Sequence, residues 1–131
     1  MDIVLWCLFA GVVLPYVWAF ASVPFRSRQL GVVDLAQPRL QAQQLTEGGA
    51  GAWGAQLNAW EALAVFMAAT LAAYMQGLDP TGSWATASLI WVAARISHGV
   101  FYILNVPVLR VLSFGLGLGM SLWIFVMALQ A

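Results

Sequence analysis

The chain has 131 residues, 63% of them hydrophobic and only 8% charged, against roughly a quarter charged in soluble domains. Five arginines balance five acids and there is no lysine, so no electrostatic case exists for nucleic acid. A helix needs about 20 residues to cross a hydrocarbon core of about 30 Å. Charge-poor runs at 3–25, 62–78, 80–109 (broken by Arg95) and 111–131 predict an all-α integral membrane protein, a bundle of four transmembrane helices in one domain.

The first predicted helix covers residues 3–23, with Trp6 and Trp18 as interfacial anchors near its two ends. Pro15 should kink it, Gly11 should admit a close neighbour, and Pro24 should end it. Ala19-Phe20-Ala21 resembles a signal-peptidase site, but Met1-Asp2 supplies no basic segment before the apolar run, so the helix is expected to be retained. Cys7, the single cysteine, reads as a small packing residue. Residues 24–51 form the one long polar loop. Pro38 is placed to start a short surface helix over 38–46, which Gly48 and Gly49 should break. The match to G-x-G-x-x-G at Gly49–Gly54 lacks a preceding strand and carries no dinucleotide reading.

The second helix is predicted over 52–77 and stopped by Gly77, and the third over 83–104. The fourth covers 108–129, with Gly115 and Gly119 forming a small-residue face suited to close packing. Arg26, Arg28 and Arg39 lie in the first loop and Arg110 in the third. The second loop carries only Asp79. Positive charge therefore places loops one and three in the cytoplasm and both termini outside it.

Arg95, His98, Tyr102 and Asn105 follow one another at spacings of three, four and three, a single stripe along one helical face. Asn58 and Glu61 share a face of the second helix, and Arg110 begins the fourth at the same depth. Ionisable groups inside a membrane normally have partners, and two readings follow. In one, Glu61 and Arg95 are a buried pair whose hydrogen bonds Asn58 and His98 complete. In the other, the cluster is a polar pocket open to the cytoplasm, where the arginines suit a carboxylate-bearing molecule. One His, one Cys and dispersed acids offer no metal site. Polar groups confined to one half of the membrane disfavour a transporter.

Asn58-x-x-Glu61 opening the second helix and Pro107-Val108-Leu109-Arg110 opening the fourth, within four helices and after a polar first loop, resemble the MAPEG family. These are the membrane-associated proteins in eicosanoid and glutathione metabolism, which include the microsomal glutathione transferases. The similarity covers nearly the whole chain and is strongest over 56–77 and 94–115; the chain is most like bacterial members. The resemblance implies a homotrimer in the bacterial inner membrane, with glutathione bound between subunits on the cytoplasmic side. It makes Asn58 and Glu61 holders of the peptide part and Arg110 the residue that stabilises the thiolate. Arg95, His98 and Tyr102 complete the expected binding set, Tyr102 lying near a tyrosine that the family uses. The chain departs from the family's pattern at Gly54, where an arginine is frequent, and at Ala62, where a tyrosine is frequent. Arg28 or Arg39 would have to substitute from the loop.

The expected activity is thus glutathione transferase or peroxidase chemistry on lipophilic small molecules. The alternative is a non-catalytic membrane protein that binds lipid or presents a partner, or an accessory subunit of a larger membrane complex.

Overall fold

Asp2 begins the first helix by accepting hydrogen bonds from the backbone N–H groups of Val4 and Leu5, satisfying two donors that a helix start leaves free. Its other carboxylate oxygen accepts from the Tyr74 phenol. That phenol, the first cause, holds the Asp2 carboxyl below its ordinary range. The computed structural model describes residues 2–131. They form α1 (Ile3–Leu30), α2 (Pro38–Ala42), α3 (Glu47–Met75), α4 (Ser83–Ile103) and α5 (Pro107–Leu129).

Three of these, α1, α3 and α5, are long and apolar enough to cross a membrane. The fourth long helix, α4, has 21 residues and carries Arg95 and His98 within them. The helices α3 and α4 are central: α3 packs on α1, α4 and α5, and α4 packs on α1 and α5 as well. The main core lies at the end where α1 starts and α5 finishes. Phe66 and Trp91 stack there at 4.0 Å with 11° between their planes, and Trp84 meets Tyr74 edge-on at 4.7 Å. A smaller cluster of Leu14, Trp18, Ala55 and Ala59 closes the opposite half. The turn between α3 and α4 uses Gly77 at φ +70° and Asp79, whose carboxylate accepts from Thr81 N and Oγ1 and is thereby held below its ordinary range.

The structure corrects several expected boundaries. Pro24 does not end α1, which runs on to Leu30. Beyond the proline, Arg26 is buried and donates to Ser22 Oγ at 3.2 Å, to the Pro38 carbonyl at 2.6 Å and to Gln41 Oε1 at 3.3 Å. These charge-assisted bonds offset the one backbone bond that proline removes. Gly48 and Gly49 do not break a helix; they lie in the first turn of α3, which starts at Glu47 rather than at 52. A Cβ at Gly48 would come within 2.8 Å of the Phe25 ring, so these glycines admit the extended end of α1. Gln29 ties the two ends together through both the N–H and the carbonyl of Thr46. The surface helix is therefore shorter than 38–46, the loop narrows to residues 31–46, and Arg26 and Arg28 belong to α1 rather than to the loop. Trp18 is not an interfacial anchor but is buried over Gly99, where no side chain would fit. Gly115 and Gly119 meet nothing within 4 Å among the described residues, so their face is unused inside the chain, whereas Gly11 does receive Trp91 as expected.

Gln41 also donates to the Val32 carbonyl at 2.6 Å and accepts from Asp34 N at 3.0 Å. Gln41→Leu removes all of these partners at once and is expected to cost about 1–3 kcal/mol. Limited proteolysis in detergent should then cut within residues 31–46 faster than in the parent protein, while cleavage between α3 and α4 stays unchanged.

Candidate functional site

A groove runs between α3 and α5 with α4 as its floor, divided into three compartments that share walls. The outer one, about 460 Å³, is lined by Glu47 and Gly51 of α3, by Asn105 in the α4–α5 turn, and by Tyr102 and Arg110. The middle one, about 340 Å³, is bounded by Gly54, Asn58, Glu61, His98, Tyr102, Arg110 and Phe114. The inner one, about 120 Å³, begins at Glu61 and Phe114 and ends at Arg95, Trp91 and Ser121. Each compartment has two charged residues in its lining, but the rest of the wall becomes mostly apolar toward the inner end.

The wall between the first two compartments is a stack. Arg110 lies over the Tyr102 ring at 4.4 Å, a separation suited to cation–π attraction. Tyr102 in turn lies on Gly54: a Cβ there would be 2.6 Å from the phenol oxygen. One turn earlier, Gly51 abuts the Tyr102 backbone carbonyl. The glycines of α3 therefore seat Tyr102, and Tyr102 seats Arg110. Glu47 and Asn105, the two non-glycine residues at positive φ among those described, +49° and +56°, both line the outer compartment. Asparagine takes this conformation readily, whereas glutamate does so at a cost.

All six residues of the expected binding set, Asn58, Glu61, Arg95, His98, Tyr102 and Arg110, converge on the groove, as does Asn105. His98 is buried and meets Tyr102 edge-on at 5.5 Å and Phe114 at 6.2 Å. Asn58 is half-buried and accepts a hydrogen bond from Arg95 Nη2. The expected Glu61–Arg95 pair does not form. Glu61 is exposed, while Arg95, 3% exposed, contacts Asn58 and, at 3.5 Å, His98 Nδ1. Its Nε is buried without a partner. An amide one turn before Glu61 thus takes the role expected of the carboxylate, and Glu61 is left at the junction of the middle and inner compartments. Arg28 and Arg39 are exposed and line none of the three compartments. Glu47, Gly51 and Phe114 were not singled out in the sequence; Phe114, four residues after Arg110 on the same helix face, was the one with a legible signal.

Compared with known proteins, residues 3–130 match the model of the MAPEG family. The chain belongs to the MAPEG family. With its three helices of spanning length, MAPEG membership makes it an integral membrane protein. No curated protein and no solved structure matches it significantly. Gly54 lies on the groove beneath Tyr102, and Ala62 lies on the inner compartment's wall.

Because Arg95 relies on Asn58 rather than on a carboxylate, Asn58→Leu is expected to cost about 1.5–3 kcal/mol, the range for hydrogen bonds to charged groups. Asn58→Asp should retain or raise stability by supplying an anion. Thermal unfolding of both variants in detergent checks this; equal losses would show that Arg95 does not depend on the side chain at position 58.

Proposed function

We propose that this MAPEG protein binds glutathione or a similar thiol in the middle and outer compartments and transfers it to lipophilic electrophiles or peroxides. The observation that carries the reading is the seating of Arg110. It is half-buried, fixed over Tyr102, and shared by two adjacent cavities whose other polar groups are Asn58, Glu61, His98, Glu47 and Asn105. A fixed cation beside a thiol favours the thiolate, which is the nucleophilic form. Asn58 and Glu61 offer the amide and carboxylate needed to hold a peptide backbone and an ammonium group.

In this reading α4 crosses the membrane as a fourth span and the chain assembles as a homotrimer. The loop 31–46 and the α4–α5 turn face the cytoplasm of a bacterial cell, with both termini outside. Lipophilic substrates then reach the groove from the bilayer, and the thiol reaches it from water. The exposed Glu61 and the bare Gly54 favour a second reading, a protein that holds lipid in the same groove without catalysis.

Calorimetry of glutathione against the detergent-purified protein separates the two. Saturable binding lost in Arg110→Ala supports the thiol reading; no binding at millimolar glutathione overturns it. If binding and turnover are present, Arg110→Ala should raise the bound thiol's pKa by about one unit or more. A rise of one unit lowers the thiolate fraction by up to about tenfold, the full factor applying at pH values below both pKa values. The rate profile for a generic electrophile should then move to higher pH, and an unmoved profile would remove Arg110 from that role.

A further inference from the structure

The inner compartment contains a buried cation whose donors outnumber its acceptors. A guanidinium carries five N–H donors and cannot shed its charge. The acceptors that Arg95 has, Asn58 Oδ1 and His98 Nδ1, are both reached through the single nitrogen Nη2, and Nε has none. In a medium without water, unsatisfied donors are expensive. Arg95 packs its Cδ against Gly117, 3.1 Å from where a Cβ would stand, and it lines the cavity wall. An acceptor supplied from outside the chain would therefore be held by donors already in place.

We propose that this compartment binds the carbonyl oxygen of a neutral, lipid-soluble aldehyde or ketone, with Arg95 as the donor. Three features select that class. The cavity, about 120 Å³, is the smallest of the three compartments and suits a short polar head. Its outer walls, Val65 of α3 and Leu118 of α5, are both partly open to the outside of the bundle, which leaves a side from which an apolar tail can extend. Glu61 stands at its mouth and disfavours a second carboxylate there, while a neutral acceptor meets no repulsion. Ser121, buried at the far end, offers a further hydroxyl. The site would position the acceptor substrate of the transfer proposed above, and for that role it rests on the thiol reading; the binding itself does not.

The test uses protein reconstituted in phosphatidylcholine vesicles and 2-nonanone carrying a ¹³C carbonyl, with no thiol present. Infrared difference spectra should show, beside the band of free probe, a second carbonyl band at lower wavenumber that saturates with added ketone. Arg95→Met should lose it. Because that variant disturbs a buried network, Ala62→Phe provides the second arm: it narrows the mouth at a half-buried position and leaves Arg95 with its partners. Loss of the shifted band in Ala62→Phe supports the site. The proposal is overturned if the parent protein shows the free-probe band alone, if Ala62→Phe keeps the shifted band undiminished, or if nonanoate displaces the ketone at lower concentration than the ketone itself binds. Glutathione calorimetry on the same preparation reports the thiol reading independently, so the two can fail separately.

Discussion

The close approach of the first two turns of α3 to the last turn of α4 is the constraint from which the site follows. Gly51 lets the Tyr102 carbonyl come nearer than any side chain would permit, and Gly54 leaves room for its phenol. Glycine inside a helix costs roughly 0.5–1 kcal/mol relative to alanine, and α3 carries four of them between Glu47 and Gly54. That cost is met by the packing of Phe25 and Tyr102 over them. Drawing α3 and α4 together at this end leaves α5 packed on α4 but parted from α3 along one edge, and the groove is the space between them.

Three of the arginines are held by neutral partners rather than by opposite charges. Arg95 leans on an amide and an imidazole, Arg26 on a hydroxyl, a carbonyl and an amide, and Arg110 on an aromatic face. Three of the chain's five arginines are thus fixed without consuming a carboxylate. A fixed cation that has not been neutralised within its own chain retains its capacity for an anion or a strong acceptor, and this places recognition in the arginines rather than in catalytic acid–base pairs.

Much of this was legible in the sequence, and what was missed has a physical cause. Apolar runs located every long helix, and Pro107 and Gly77 marked ends that the structure keeps. Pro24, Gly48 and Gly49 were read as breakers because local propensity disfavours them in helices; here tertiary contacts, Arg26 to the loop and Phe25 to the glycines, override propensity. The stripe Arg95, His98, Tyr102 and Asn105 gave the floor of the groove from spacing alone. What spacing does not carry is rotation between helices. Asn58 and Glu61 lie on one face of α3, and only the way α3 sits against α4 decides that the amide meets Arg95 while the carboxylate faces outward. The role of Gly54 was hidden for the same reason, since the residue that fills its missing volume lies 48 positions away.

The long helices are unequal, and the inequality falls at one end. Asp2, Tyr74 and Trp84 meet at the other, so α1 and α3 are flush there with the start of α4. At about 1.5 Å per residue, the 29 residues of α3 extend about 43 Å, against a hydrocarbon thickness of about 30 Å. With α3 along the membrane normal, the surplus emerges where Arg26 and Glu47 stand. The dielectric boundary then cuts across the groove instead of lying above it. Coulomb energies scale inversely with the local dielectric, from ~80 in water toward an effective ~20 or lower in protein. A guanidinium therefore attracts weakly at the outer compartment, where Arg110 stands, and strongly at the inner one, where Arg95 stands. A ligand entering from water is sorted first by gross charge and last by a single hydrogen bond, and one arriving through the lipid meets these filters in reverse.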